Sequence, residues 1–138
     1  MPVEQQPPEV LALIIADHVH RDDSTGKFFI LGTRASVGAA AFPFTCHSLT
    51  VYGSLVDGRG ETLMRLRLID ADEAREPVLE FETTVNFLDP TEEVEIVFRL
   101  IDLAFPEPGD YRLQLFAAGQ FLRERRFLVI PLENPGNP

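Results

Sequence analysis

Two histidines near the start of the chain, His18 and His20, have the spacing of a partial metal site. Residues two apart on a β-strand project from the same face, so both imidazoles can reach one ion. Asp22, Asp23 or His47 could supply the remaining ligands of a tetrahedral zinc site. Two histidines alone fall short of that ligand set, and a strand that becomes polar as it leaves the core explains them more simply. We therefore predict no obligatory metal at this pair.

Carboxylates in the loops between apolar runs are a second candidate, for calcium, which binds about six to eight oxygen atoms. If every strand crosses the domain, alternate loops lie at the same end. One end would then collect Asp22, Asp23, Asp57, Asp89, Glu92 and Glu93, and the other Asp70, Asp72, Glu73, Glu107 and Asp110. No loop carries the dense series of aspartates typical of a calcium site. We predict no bound metal or cofactor, and an ion-binding sandwich is the alternative function.

The adjacent pair Cys46-His47 could suggest a nucleophile and its base. Nucleophilic catalysis needs the imidazole within hydrogen-bond reach of the thiol. Neighbouring residues on an extended strand point to opposite faces, so these two side chains cannot pair if they lie on a strand. No serine lies in a Gly-x-Ser-x-Gly elbow either. The sequence therefore predicts a protein without enzymatic activity and without catalytic residues.

Four arginines near the C-terminus, Arg112, Arg123, Arg125 and Arg126, could form a patch for an acidic partner or a phosphate. Glu124 lies among them. Cross-strand pairs between arginine and glutamate on a solvated face are the commoner use of such a pattern. Both interpretations stay open from the sequence.

These side chains are positioned by apolar runs that alternate with polar residues, the pattern of strands with one buried face. Prolines fall between the runs, as expected for hydrogen-bonded strands. We predict eight strands, over residues 10–19, 27–33, 48–56, 61–69, 78–87, 94–103, 111–117 and 121–130. This spacing predicts an all-β, immunoglobulin-like β-sandwich of seven to eight mainly antiparallel strands. One domain would span residues 10–132, between mobile tails at 1–9 and 133–138.

The alternation also predicts which side chains fill the core. They are Leu13, Ile15, Leu49, Val51, Leu66, Leu68, Phe81, Val85, Ile96, Phe98, Leu113, Leu115, Phe127 and Val129. Two runs, at 11–16 and 94–103, are apolar on both phases. A two-layer sandwich buries one face of each sheet, so this surplus predicts a homodimer or a sheet covered by a partner.

The segment Pro108-Gly109-Asp110-Tyr111 predicts a corner that leads into the last pair of strands. Proline fixes its own φ, and glycine can follow with a positive φ. Tyr111 would then be the first inward residue of the strand. We expect its hydroxyl to bond to a backbone group in a neighbouring loop, as in the tyrosine corner of immunoglobulin-like domains.

Composition excludes several classes of partner. The 138 residues carry a net charge of −10, which argues against binding to nucleic acid or to an anionic membrane surface. Val10–Ala16, the longest apolar run near the N-terminus, is too short to span a bilayer. The single cysteine excludes an internal disulfide, which favours a reducing compartment and predicts a cytoplasmic protein.

Four segments together resemble a bacterial family of small β-sandwich proteins, a domain of unknown function. They are Leu13–Asp17, Gly26–Gly32, the corner Pro108–Tyr111 and the ending Phe127–Val129. The resemblance covers nearly the whole chain and implies a compact sandwich, with no activity or site residues to transfer. From the residues themselves we predict a non-enzymatic protein-interaction or structural module.

Overall fold

The computed structural model describes residues 6–132, and these form nine strands in two sheets. The strands are β1 Glu9–Arg21, β2 Phe28–Thr33, β3 Ser36–Ala39, β4 Phe44–Val56, β5 Gly60–Asp70, β6 Leu79–Phe87, β7 Val94–Phe105, β8 Gly109–Ala117 and β9 Gln120–Pro131. One sheet has the order β2-β1-β4-β7 and the other β3-β9-β8-β5-β6. All pairs are antiparallel apart from β3 with β9. The predicted all-β sandwich is confirmed, and no helix within residues 6–132 could cross a membrane.

The strand β3 is the one that the sequence did not predict. It is only four residues long and runs parallel to the end of β9, with Ser36 beside Leu128. Its residues are small and include Gly38, so they show no alternating pattern that could be recognised. The strand β4 also begins earlier than predicted, at Phe44, and therefore includes Cys46 and His47. The proposed tails lie largely outside the described residues, although Glu9 already belongs to β1.

The core lies between the two sheets and contains most of the side chains that alternation predicted. Eleven of the fourteen are buried, namely Leu13, Ile15, Leu49, Val51, Leu66, Leu68, Phe98, Leu113, Leu115, Phe127 and Val129. Val85 and Ile96 are half-buried and pack against this cluster. At about 25 cal/mol per Å² of apolar surface removed from water, such a core is the main source of stability.

The prediction that Phe81 is buried was wrong, although its phase was right. Phe81 lies opposite Leu66, which is fully buried, and so projects toward the interior. It nevertheless remains 45% exposed, because β6 is an edge strand and the facing sheet ends at β7. An edge-to-face contact with Phe98, with ring centroids 5.9 Å apart, is its main aromatic cover.

The corner before β8 has the predicted geometry. Tyr111 is 2% exposed, and its hydroxyl donates a 2.7 Å hydrogen bond to the backbone carbonyl of Glu107. Its ring packs edge-to-face on Phe105 at 5.0 Å. Gly109 has a φ of +153°, a conformation that a residue with a Cβ rarely adopts. The corner therefore confirms the prediction for both residues.

Candidate functional site

The histidine pair lies on the outward phase of β1, where both side chains are exposed. His18 is opposite Leu31 and His20 opposite Phe29 on the neighbouring strand β2. The rings of His20 and Phe29 lie 6.5 Å apart. Among residues 6–132 no group of three or more histidine, cysteine or acidic side chains is arranged to hold a metal ion. The residues opposite the two histidines, Leu31 and Phe29, therefore offer no further metal ligand.

Of the acidic residues that the sequence grouped by end, Asp22 and Asp23 lie at the wrong end. The short strand β3 reverses the chain between β2 and β4, so the turn with Asp57 lies at the opposite end from Asp22 and Asp23. As predicted, Asp57 does adjoin the loop before β7 that carries Asp89, Glu92 and Glu93; its amide donates to the carbonyl of Pro90 at 2.9 Å.

Two of these carboxylates are already used to close their own turns. Asp22 accepts bonds from the hydroxyls of Thr25 and Ser24, and these bonds lower its pKa, with that from Thr25 the larger cause. Asp89 accepts from the amide and the hydroxyl of Thr91, which lower its pKa in the same way. The structure therefore gives both aspartates a local role in turn formation.

Cys46 and His47 point away from each other, as expected for neighbours on a strand. Cys46 is 7% exposed and lies in the core, whereas His47 is exposed. The His47 Nδ1 atom lies 3.3 Å from a carboxylate oxygen of Asp102 on β7. This places the imidazole on the opposite side of the strand from the thiol.

The four arginines, Arg112 on β8 and the other three on β9, are divided between the two faces of the five-stranded sheet. Arg123 and Arg125 continue the inward phase of Phe127, and they reach across to the other sheet. They donate hydrogen bonds of 2.8 Å each to the backbone carbonyls of Val10 and Leu13 on β1. Because β2 covers only the second half of β1, these carbonyls lie on an edge without a neighbouring strand. The two arginines thus close one side of the sandwich.

The other two arginines, Arg112 and Arg126, lie opposite each other on the outer face of the five-stranded sheet. Both contact the carboxylate of Asp110, and Arg112 also contacts Glu124. The hydrogen bond from Arg112 is the main cause of a lowered pKa at Asp110. These four side chains form a charge network along the strands.

The same outer face has an apolar depression next to the turn that joins β8 and β9. We call it the β5–β8 depression; its volume is about 230 Å³ and its lining residues are Leu63, Arg65, Arg67, Glu82, Phe116 and Gly119. Leu63 and Phe116 stand on the outward phase, between residues whose side chains are buried. Phe121 packs edge-to-face on Phe116 at 5.7 Å and extends the apolar surface.

Two apolar side chains in and beside this depression are about half exposed. Leu63 is 47% exposed and Phe121 is 55% exposed. The amide of Ala118 donates a 2.8 Å hydrogen bond to the carbonyl of Leu63, so the turn is tied to the middle of the sheet. The backbone that carries these apolar side chains is therefore fixed by hydrogen bonds within the sheet, and their positions do not depend on a binding partner.

The charged side of the depression is formed by two arginines on β5. Arg65 donates a 2.7 Å hydrogen bond to Glu80, and the Arg67 Nε atom lies 2.9 Å from the same oxygen without the angle of a hydrogen bond. Glu82 lies opposite Arg65 on β6. The depression thus combines an apolar floor with a rim of both charges.

The outer face of the four-stranded sheet carries a different polar group. Tyr52 on β4 is 9% exposed, and its hydroxyl donates to the carboxylate of Glu95 on β7. Burial raises the pKa of Tyr52, and the neighbouring carboxylate adds to that effect. Ser54 donates to Glu93 at 2.7 Å. These bonds satisfy polar groups on the sheet and tie β4 to the start of β7.

The sequence did not single out Leu63, Phe116 or Phe121. Each is an apolar residue at an outward-facing position of a strand whose other outward residues are mainly arginine, glutamine or glutamate. An apolar residue at such a position was the only sign of this exposed apolar surface in the sequence. It could not be used without knowing the register, which brings Phe116 opposite Arg65 and Phe121 opposite Phe116.

Comparison with solved structures finds similar chains in other proteins. A β-glucosidase from Listeria innocua in complex with glucose is 15% identical, with a TM-score of 0.50 over 91% of this chain and 17% of that one. An immunoglobulin-like protein from Pseudomonas aeruginosa is 15% identical, with a TM-score of 0.41 over 91% and 98% of the two chains. The sensor domain of the anti-sigma factor RsgI4 in Pseudobacteroides cellulosolvens is 16% identical, with a TM-score of 0.44 over 72% and 92%.

At 15% identity, the likeness to the β-glucosidase concerns the fold alone. The chain spans only a small part of the β-glucosidase. No curated protein sequence matches the chain. A family model matches residues 11–130, which is most of the chain, and the predicted resemblance to a family of unknown function is confirmed. The nine-stranded, immunoglobulin-like sandwich described above therefore belongs to the family of unknown function DUF6941.

Proposed function

We propose that this domain is a non-enzymatic protein-interaction module, and that it binds its partner at the β5–β8 depression. The observation that carries the proposal is the exposed cluster of Leu63, Phe116 and Phe121 on a hydrogen-bonded sheet. Protein interfaces combine such an apolar centre with a polar rim, and their centres are enriched in aromatic residues and arginine. Arg65 and Glu82 supply that rim here.

The size of the depression favours a protein over a small molecule. Sites for small ligands are clefts of roughly 300–1,000 Å³ that enclose most of the ligand. The β5–β8 depression has about 230 Å³ and lies on the outside of a sheet. It fits one or two side chains that project from a partner's surface. The absence of catalytic activity and the cytoplasmic location stay predictions.

The proposal can be tested with two serine variants. Phe121→Ser removes the aromatic side chain that packs on Phe116 beside the depression, whereas Leu88→Ser changes a loop residue that is 86% exposed. Both proteins would be used as bait in cells that naturally produce the domain. A protein captured by wild type and by Leu88→Ser, but not by Phe121→Ser, would then be purified and titrated calorimetrically.

We expect Phe121→Ser to weaken that binding roughly 30-fold, the effect of losing about 2 kcal/mol at an interface hot spot. Thermal unfolding of both variants checks that the fold is retained. Capture of the same proteins by Phe121→Ser and by wild type would show that the partner binds elsewhere.

A further inference from the structure

The strand β7 is a long edge strand with few of the features that normally protect such edges. It pairs only with β4, in one antiparallel register from Val94 to Phe105 that lacks a pair only at Asp102. It contains neither proline nor lysine. Natural proteins usually shorten, bend or charge an exposed edge, because free backbone groups invite pairing with another chain.

The other edges of the same molecule are shorter than β7 or are capped by side chains. Arg123 and Arg125 cap carbonyls on the exposed half of β1, at 2.8 Å each. The outermost strands β2 and β3, of six and four residues, are short. β7 is 12 residues long, and it therefore differs from them in both length and chemistry.

Beside this edge the interior is open. Phe81 projects inward from β6 yet is 45% exposed. A groove of about 80 Å³ runs along the edge, lined by Phe81, Val97, Phe98, Arg99 and Leu100. A strand added next to β7 would cover this apolar groove and extend the four-stranded sheet.

We infer that the added strand is β7 of a second copy, paired antiparallel about a two-fold axis at Val97. In that register Glu95 lies opposite Arg99 of the second copy, and the reverse pair forms on the other side of the axis. Ile96 lies opposite Phe98, and Val94 opposite Leu100, so apolar residues face apolar residues. Opposite charges directly across a strand pair are stabilising, whereas like charges are destabilising.

Other two-fold registers fit less well. An axis at Glu95 or at Arg99 places two like charges opposite each other. An axis at Phe98 sets Arg99 against Val97 and Glu95 against Ile101. The axis at Val97 also confines the pairing to Val94–Leu100, before the left-handed residue Asp102, whose φ is +51°. Among these four axes, only the one at Val97 places Glu95 opposite Arg99 on both sides.

Cysteine cross-linking tests this register. Across an antiparallel pair the Cα atoms lie about 4.5 or 5.5 Å apart, and both spacings allow a disulfide. Val97→Cys should therefore form a disulfide-linked dimer. Ile101→Cys is the control: it is on the same strand and 72% exposed, but its two copies would be about 27 Å apart. The native Cys46 is buried and common to both variants.

We expect mild oxidation to convert most of Val97→Cys, and little of Ile101→Cys, to a species of twice the 15.5 kDa chain mass. Sedimentation of the protein without an added cysteine should also show a dimer. Val97→Lys should weaken this dimer at least tenfold while the monomer stays folded by circular dichroism, and its melting temperature should no longer rise with protein concentration. Equal cross-linking of the two variants, no cross-linking of either, or a dimer that Val97→Lys leaves intact would each overturn the inference.

Discussion

The hydroxyl of Tyr111 offers a direct test of how the corner before β8 is held. It donates a 2.7 Å hydrogen bond to the carbonyl of Glu107, and the side chain is 2% exposed. Tyr111→Phe removes this bond and keeps the ring, which packs on Phe105. A hydrogen bond of this kind contributes about 0.5–1.5 kcal/mol net.

The expected loss is near the middle of that range, about 1 kcal/mol, because two effects oppose each other. Glu107 lies in an exposed loop, so water can replace the lost donor at its carbonyl. The hydroxyl itself is desolvated in the folded protein, and phenylalanine avoids that cost. For a domain of this size, about 1 kcal/mol corresponds to a fall of roughly 3–4 °C in the melting temperature.

Urea and thermal unfolding of wild type and Tyr111→Phe would measure this difference. Tyr111→Leu serves as a comparison, since it removes the ring as well and should cost several times more. If Tyr111→Phe were as stable as wild type, the hydroxyl would not be holding the corner. The structural reasoning for this loop would then be wrong.

Three further outcomes follow from the contacts described above. Arg125→Met should lower the free energy of unfolding by about 1–2 kcal/mol in urea titrations, because the carbonyl of Leu13 loses a charged donor; an unchanged midpoint would contradict this role. Phe98→Ala should cost about 3–5 kcal/mol and Phe81→Ala no more than about half of that, since only Phe98 is fully buried; equal losses would refute the burial argument. The pKa of Asp110 is lower in the folded protein than the usual value of 3.8. The carboxylate therefore stabilises the fold above pH 3.8, and this stabilisation is lost as the pH falls through the folded pKa. Asp110→Asn should therefore lose less stability than wild type between neutral pH and pH 2, and identical acid unfolding curves would count against this assignment.

Alternation predicted most of the fold because apolar and polar residues in this chain follow the two-residue period of a strand. Leu66, Leu68, Leu113 and Leu115 are buried as expected. Alternation does not predict the strand or its burial correctly where a strand is short or lies at the edge of a sheet. β3 has only four residues, too few to show a pattern. Phe81 faces the interior as predicted, but the opposite sheet has no strand that covers it.

Contacts between distant segments could not be predicted either, because they depend on the order and register of the strands. The chain reversal at β3 decides which loops share an end, so missing this strand placed Asp22 and Asp57 together incorrectly. Arg125 looked like part of a surface patch, but it donates to a backbone carbonyl of β1. The depression around Phe116 exists only because the register sets β5 beside β8.

Site-specific photo-cross-linking tests the proposed interaction surface most directly. A photoreactive phenylalanine would replace Phe121, which is 55% exposed, in cells that naturally produce the protein. The same amino acid at Leu88, which is 86% exposed in the loop before β7, is the control. We expect a discrete covalent adduct with one other protein at position 121 and none at position 88. No adduct at position 121, or the same adducts at both positions, would contradict the proposal that this face binds a partner.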